Sequence, residues 1–212
     1  MATIWKNVIV DMQSALAAAV TLTAITKADP GVVTSAGHGF INGDELKITC
    51  SGMSELDDKV VRVAETATDT FELEGIDTTL FGTFSSGTAE KITFGHSITT
   101  ATTINASGGD YEMIDTTTIH KDIKTQQPGL PNAVSYQMDH LWDATDAGQI
   151  AMKAVSDVQG ERAFRMRFGT GGKLLYMFGY VGASGLPGGA AQQVVTTAGV
   201  ITMNGTPTFY AS

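Results

Sequence analysis

The chain has 212 residues, 42% of them apolar and 17% charged, with 24 glycines, one cysteine and a formal charge of −9. A domain of this length buries roughly 70% of the surface its unfolded chain exposes, so a true core is expected. The acidic balance excludes a protein that wraps nucleic acid by neutralising phosphates, which needs clustered Lys and Arg, but not one past which DNA slides without adhering. A lone Cys50 excludes an intramolecular disulfide. The opening MATIWKNVIVDM is too polar for a signal-peptide core, and the Ala- and Thr-rich run from Met12 to Thr26 is too short and polar to span a membrane. Synthesis in the cytoplasm and no membrane segment are therefore expected.

In chain order, Ile4, Val8 and Val10 mark a first strand, and the β-branched residues of Val20 to Thr26 favour a second. Turn signals at Asp29-Pro30-Gly31, Asn42-Gly43-Asp44, Asp57-Asp58 and Thr68-Asp69 then separate the short runs GVVTS, ELKITC, KVVRVAE and TFELEG. These runs predict a small β module over residues 23–90. His38, between Gly37 and Gly39, reads as a turn residue whose ring packs on its own module. A metal role would need a second His or Cys at ligand spacing. The succession of VVT, HGF, NGD, ELDD and TFELEGIDTT resembles a β module of phage structural proteins.

Two more β-like runs lie in KITFGHSITTATTINAS, and a long polar stretch, IDTTTIHKDIKTQQPGLPNAV, follows. It holds too few apolar residues for a core and no pairing of nucleophile and base. A structureless segment of this length inside a domain signals function or disorder. Val134, Tyr136, Met138 and His140 alternate with Ser135, Gln137 and Asp139, the period of a strand with two unlike faces. Asp146 stands at an N-cap position with Gln149 three residues on, in a capping-box-like spacing. Ala147, Ile150, Ala151, Ala154, Val155 and Val158 recur at helical period. The spacing predicts one helix over 146–159, closed by Gly160, with Ile150, Ala151, Ala154, Val155 and Val158 as its packing face. Phe164, Met166 and Phe168 alternate with Arg165 and Arg167 ahead of a GTGG turn, which predicts a hairpin. Gly169, Gly171 and Gly172 lack the helix and the Lys-Ser/Thr pair of a phosphate loop. A last long strand, kinked at Gly199, ends the chain. The whole reads as all-β.

The order of these pieces from about Ile98 to Tyr210 resembles the tail tube (major tail) proteins of long, non-contractile phage tails. A strand ending IDTTTIH leads into a long loop closing with PGL. The WD-ended strand, the single helix, the RAFRMRF hairpin running to FGYV and a final strand ending in GTPT follow. The resemblance implies a tail-tube-type β-sandwich or barrel with one helix flanking the sheet. Residues 1–22 would supply an N-terminal strand, 23–90 the additional module and 91–212 the barrel core.

It also implies self-assembly into stacked hexameric rings around a tape-measure protein, closed by tail terminator and baseplate or tail-tip proteins. The tube would be assembled in the host cytoplasm, carried on the virion tail, and would conduct double-stranded DNA without specific binding. Thr118, Ile119, His120, Lys121, Asp122, Ile123, Lys124, Thr125, Gln126, Gln127, Pro128, Gly129 and Leu130 would then form the contact loop between rings or subunits. The negative charge would give an electronegative lumen that repels phosphates. His38, His96, His120 and His140 are scattered and no catalytic constellation emerges, so no enzyme, cofactor or metal is expected. The alternative is a carbohydrate- or receptor-binding β module of a phage or bacterial surface structure.

Overall fold

A computed structural model of the chain describes residues 7–169 and 172–211. The strand start expected at Ile4 and the Thr170-Gly171 part of the glycine turn lie outside the described residues. In order, the elements are β1 (Val8–Leu16), β2 (Val20–Leu22), β3 (Ala24–Ile25), β4 (Val32–Thr34), β5 (Glu45–Ser51), β6 (Lys59–Ala64), β7 (Thr70–Leu73) and β8 (Ser86–Ile98). There follow β9 (Ala101–Ser107), β10 (Tyr111–Asp115), β11 (Gln126–Pro131), β12 (Ser135–Leu141), α1 (Ala147–Asp157), β13 (Glu161–Phe168), β14 (Leu174–Ala183), β15 (Thr196–Met203) and β16 (Thr208–Tyr210). Among the described residues the fold is all-β with one helix, and every strand pairing is antiparallel.

Fourteen of the described strands form one sheet, twelve of them on a continuous path, β3-β4-β7-β6-β5-β8-β1-β13-β14-β15-β12-β9, with β2 added on β8 and β16 on β14. Strand β8 joins the two halves. Its first part pairs with β5 (Leu46↔Lys91 to Ser51↔Ser86), its last part with β1 (Val10↔Ile98 to Leu16↔Ile92). The final segment does not continue as one strand. β15 pairs with the C-terminal half of β14, the chain turns at Gly205 (φ 72°), and β16 pairs with the N-terminal half. Gly199 serves packing rather than a kink, since a Cβ there would lie 2.6 Å from the Met152 methyl.

Three apolar clusters follow from this topology. Val33, Leu46, Ile48, Val61, Phe71 and Leu73 fill the N-terminal module. Val10, Met12, Met138, Met152, Phe164, Met166 and Ile201 fill the barrel beneath α1. Val60, Ile92, Ala163, Tyr176, Phe178 and Tyr210 seal the module onto the opposite face of β13 and β14. Each buried Val, Leu, Ile, Met or Phe side chain among them contributes about 1.5–3 kcal/mol. Charge reinforces the third cluster: Arg165 bridges Asp11 (3.0 Å) and Glu45 (2.7 Å), Arg167 reaches Asp11 (2.9 Å), and the Tyr176 hydroxyl donates to Glu45. Burial, with the Glu45 hydrogen bond, drives the Tyr176 phenol far above its ordinary range.

The helix forms where the sequence places it. Asp146 caps it, accepting from the Gln149 N–H at 2.8 Å. Gln149 does not reciprocate in a capping box; its amide donates to Thr100 Oγ1 and the Leu141 carbonyl, tying α1 to the sheet. At the C-terminus Gln159 takes the left-handed conformation (φ 51°). The Gly160 N–H returns to the Val155 carbonyl at 2.9 Å and Gln159 N–H to Ser156, a Schellman closure.

The expected packing face is corrected in part. Val155 is buried and Ala151 packs against the core, but Ile150 is 53% exposed, Val158 72%, and Ala154 faces solvent. The buried line is Gly148, Met152 and Val155. Gly148 sets the rotation: a Cβ there would lie 2.8 Å from the Ser97 carbonyl, so only glycine lets the helix come this close to β8. The slender Met152 then enters over Gly199. His38 behaves as expected, its ring against Phe40 and Phe71, with Nδ1 accepting from the Phe40 N–H and Nε2 donating to the Ala67 carbonyl.

Candidate assembly surfaces

The polar stretch is not a loop throughout. Gln126 to Pro131 form β11, which pairs with β10 as a separate two-stranded sheet, Ile114↔Gln127 and Met113↔Pro128 among its registers. Thr118 to Thr125 remain in the connecting loop. Prolines at 128 and 131 and the glycine between them argue against a strand in sequence, yet an edge strand tolerates them because its outer groups need no ladder partner.

At the base of this hairpin arm the Gly109 N–H donates to the Asn132 carbonyl and the Asn132 N–H to the Asp110 carbonyl. Near the loop the Thr116 N–H donates to the Thr125 carbonyl at 2.9 Å, and the Thr125 N–H to Thr117 Oγ1 at 3.0 Å. Asp115 accepts from the Thr117 hydroxyl and N–H, which hold its carboxyl below the usual range. The arm has no core: Tyr111, Met113, Ile114, Ile119, Ile123 and Leu130 are all exposed. An isolated two-stranded hairpin is marginal in water, so this geometry suits an element completed by contact with something else.

A second surface runs along α1. Ile150, Ala154 and Val158, displaced from the core, lie exposed. Trp142 stands beside the helix, its indole N–H donating to the Gly185 carbonyl at 3.1 Å.

The third surface follows from strand register. Glu161, Tyr180, Thr202, Ser135 and Ser107 are aligned across β13, β14, β15, β12 and β9. Gly182, Val200, Gln137 and Asn105 form the next row, and Ala198, Asp139 and Thr103 the one after. All lie on the side opposite Met138, Ile201 and Met203, and most are exposed. This face carries hydroxyls, amides and two carboxylates, with no Lys or Arg in the aligned rows. Thr103 donates to Asp139 at 2.6 Å, and a hydrogen bond to Glu161 raises the Tyr180 phenol. Beyond it, among the described residues, β9 pairs only with β12 and its other edge has no strand partner.

The alternation of 135–141 signals one polar strand face in sequence. The rows that extend it exist only through register. Among the described residues no group of three or more His, Cys, Asp or Glu could hold a metal ion.

The sequence matches the family model described as phage tail tube protein, TTP, over residues 51–212. The match begins at the last residue of β5, inside the N-terminal module and well before Ile98. No curated protein sequence matches the chain.

Proposed function

With that match spanning well over half its length, the chain belongs to the phage tail tube protein family, and from this premise we propose that it self-assembles into stacked hexameric rings forming a hollow tube with an electronegative lumen. It is a structural protein of a phage tail. In this reading the tube is built in the host cytoplasm around a tape-measure protein, meets terminator and baseplate or tail-tip proteins at its ends, and conducts double-stranded DNA into the host.

The observation that carries the lumen assignment is the cation-free face of β9, β12, β15 and the C-terminal half of β14, with Asp139 as its acid. A surface that offers phosphates no counter-charge, and some repulsion, lets DNA slide without adhering. The edge of β9 that has no strand partner among the described residues suits pairing with a neighbouring subunit, which would remove an exposed strand edge and continue the face around the ring. Residues 118–130 act between rings or subunits, at the tip and second strand of the arm. Residues 1–22 and 91–212 build the barrel. The 23–90 module reinforces its wall, a role supported by the shared β8 and the Arg165–Glu45 bridge.

Negative-stain microscopy of the purified protein at rising concentration tests the reading, with rings or tubes as the expected result. Wild-type tubes should fail to retain duplex DNA in co-sedimentation, whereas tubes of Gln137→Lys should retain it. A chain that stays monomeric and binds glycans would favour the carbohydrate-binding alternative.

A further inference from the structure

Beside α1 lies a groove of about 390 Å³ whose apolar lining includes Trp142, Ile150 and Ala154. Asp143 stands at the end of the groove where the helix begins; at the end where it stops, Asp157 is ion-paired with Lys153, which also lines the groove. Hydrogen bonds from the Thr145 hydroxyl and N–H hold the Asp143 carboxyl below its usual range, so it stays charged. The bond from Trp142 to Gly185 fixes the indole as a wall.

The arm tip carries the matching chemistry. Ile119 is 96% and Ile123 78% exposed. Lys121 touches only Thr125 Oγ1, at 3.4 Å, and neither it nor Lys124 has a carboxylate partner among the described residues. Such exposure also means that the arm does not occupy its own groove.

We propose that the arm tip of one copy docks in the α1 groove of another, seating Ile119 and Ile123 against Trp142, Ile150 and Ala154 and bringing Lys121 and Lys124 toward Asp143. The inference rests on the tube reading and names the receiving surface for its stacking contact. Made in one direction from copy to copy, as stacked rings require, the contact is head to tail and propagates instead of closing as a reciprocal two-fold dimer. It covers two apolar surfaces that the single chain leaves wet.

The test mixes two full-length variants, Ile123→Cys and Ile150→Cys, assembles them and oxidises the tubes. The native Cys50 is silent, because burial pushes its thiol up to about 11. Disulfide-linked pairs are expected in the mixture and not in either variant alone. Ile150→Glu should abolish tubes with an unchanged melting temperature, since the side chain is exposed in the monomer; if it also lowers the melting temperature, the cross-link in the otherwise native mixture decides. Tubes without the mixed cross-link, or tubes of Ile150→Glu like wild type, overturn the docking and leave the tube reading standing. A wild-type chain that never assembles overturns both.

Discussion

Replacing Arg165 with Met should weaken the fold through the two acids left behind. The guanidinium donates to Asp11 through Nη2 at 3.0 Å and Nε at 3.2 Å, and to both Glu45 oxygens through Nη1 at 2.7 and 2.9 Å. The side chains of Asp11 and Glu45 are only 4% and 15% exposed. Methionine fills the volume but leaves Glu45 with the Tyr176 hydroxyl, and Asp11 with Arg167 and the Ser97 hydroxyl. Removing one partner of a buried ion pair costs about 3–5 kcal/mol, and the retained partners place the expected loss near the lower end, about 3 kcal/mol. In a chain of this size that is a fall of roughly 6–12 °C in melting temperature, measurable by thermal and urea unfolding of the monomer. Because Glu45 lies in the module and Arg165 in the barrel, hydrogen exchange in β5 and β6 should quicken. Arg165→Lys, which keeps the charge but loses the fork, should fall between. A loss below about 1 kcal/mol would mean that water already solvates the acids and that the bridge does not lock the two halves.

Met152→Ala should cost about 2–5 kcal/mol, because it empties the space over Gly199; Ile150→Ala should leave monomer stability within about 0.5 kcal/mol, and denaturant titration of both variants checks the pair. Burial pushes the His140 ring below its ordinary 6.5, only partly offset by Asp146 and Asp139. The unfolded chain therefore takes up that proton first: the contribution is complete above 6.5 and is lost as pH falls toward the lowered folded value. Melting curves of wild type and His140→Met across that range should converge on acidification. Gly179→Ala would set a Cβ 2.1 Å from the Thr202 carbonyl oxygen in the adjacent strand. Separation of β14 from β15 and an insoluble product are expected on expression, and a soluble variant with wild-type melting would contradict that contact.

Local chemistry carries much of this fold. The cap at Asp146, the helix closure at Gly160, the turn glycines and the two-residue alternation of Ser135–Leu141 are readable in sequence because each depends on neighbours within a few positions. So is the all-β class, and so is the family, whose ordered motifs survive in the second half of the chain. Contacts between residues far apart along the chain decided the rest. The helix hides Gly148, Met152 and Val155 rather than its richer apolar stripe, because the backbone of β8 admits only glycine at its first turn. Gln126–Pro131 became a strand because β10 supplies the one ladder it needs. Asp139 shares a face with Thr103 and Ala198, and Asp11 meets arginines more than 150 positions away, through strand register. Register belongs to pairs of strands, and a shift of one residue in either would exchange every face, so no single segment could have specified it.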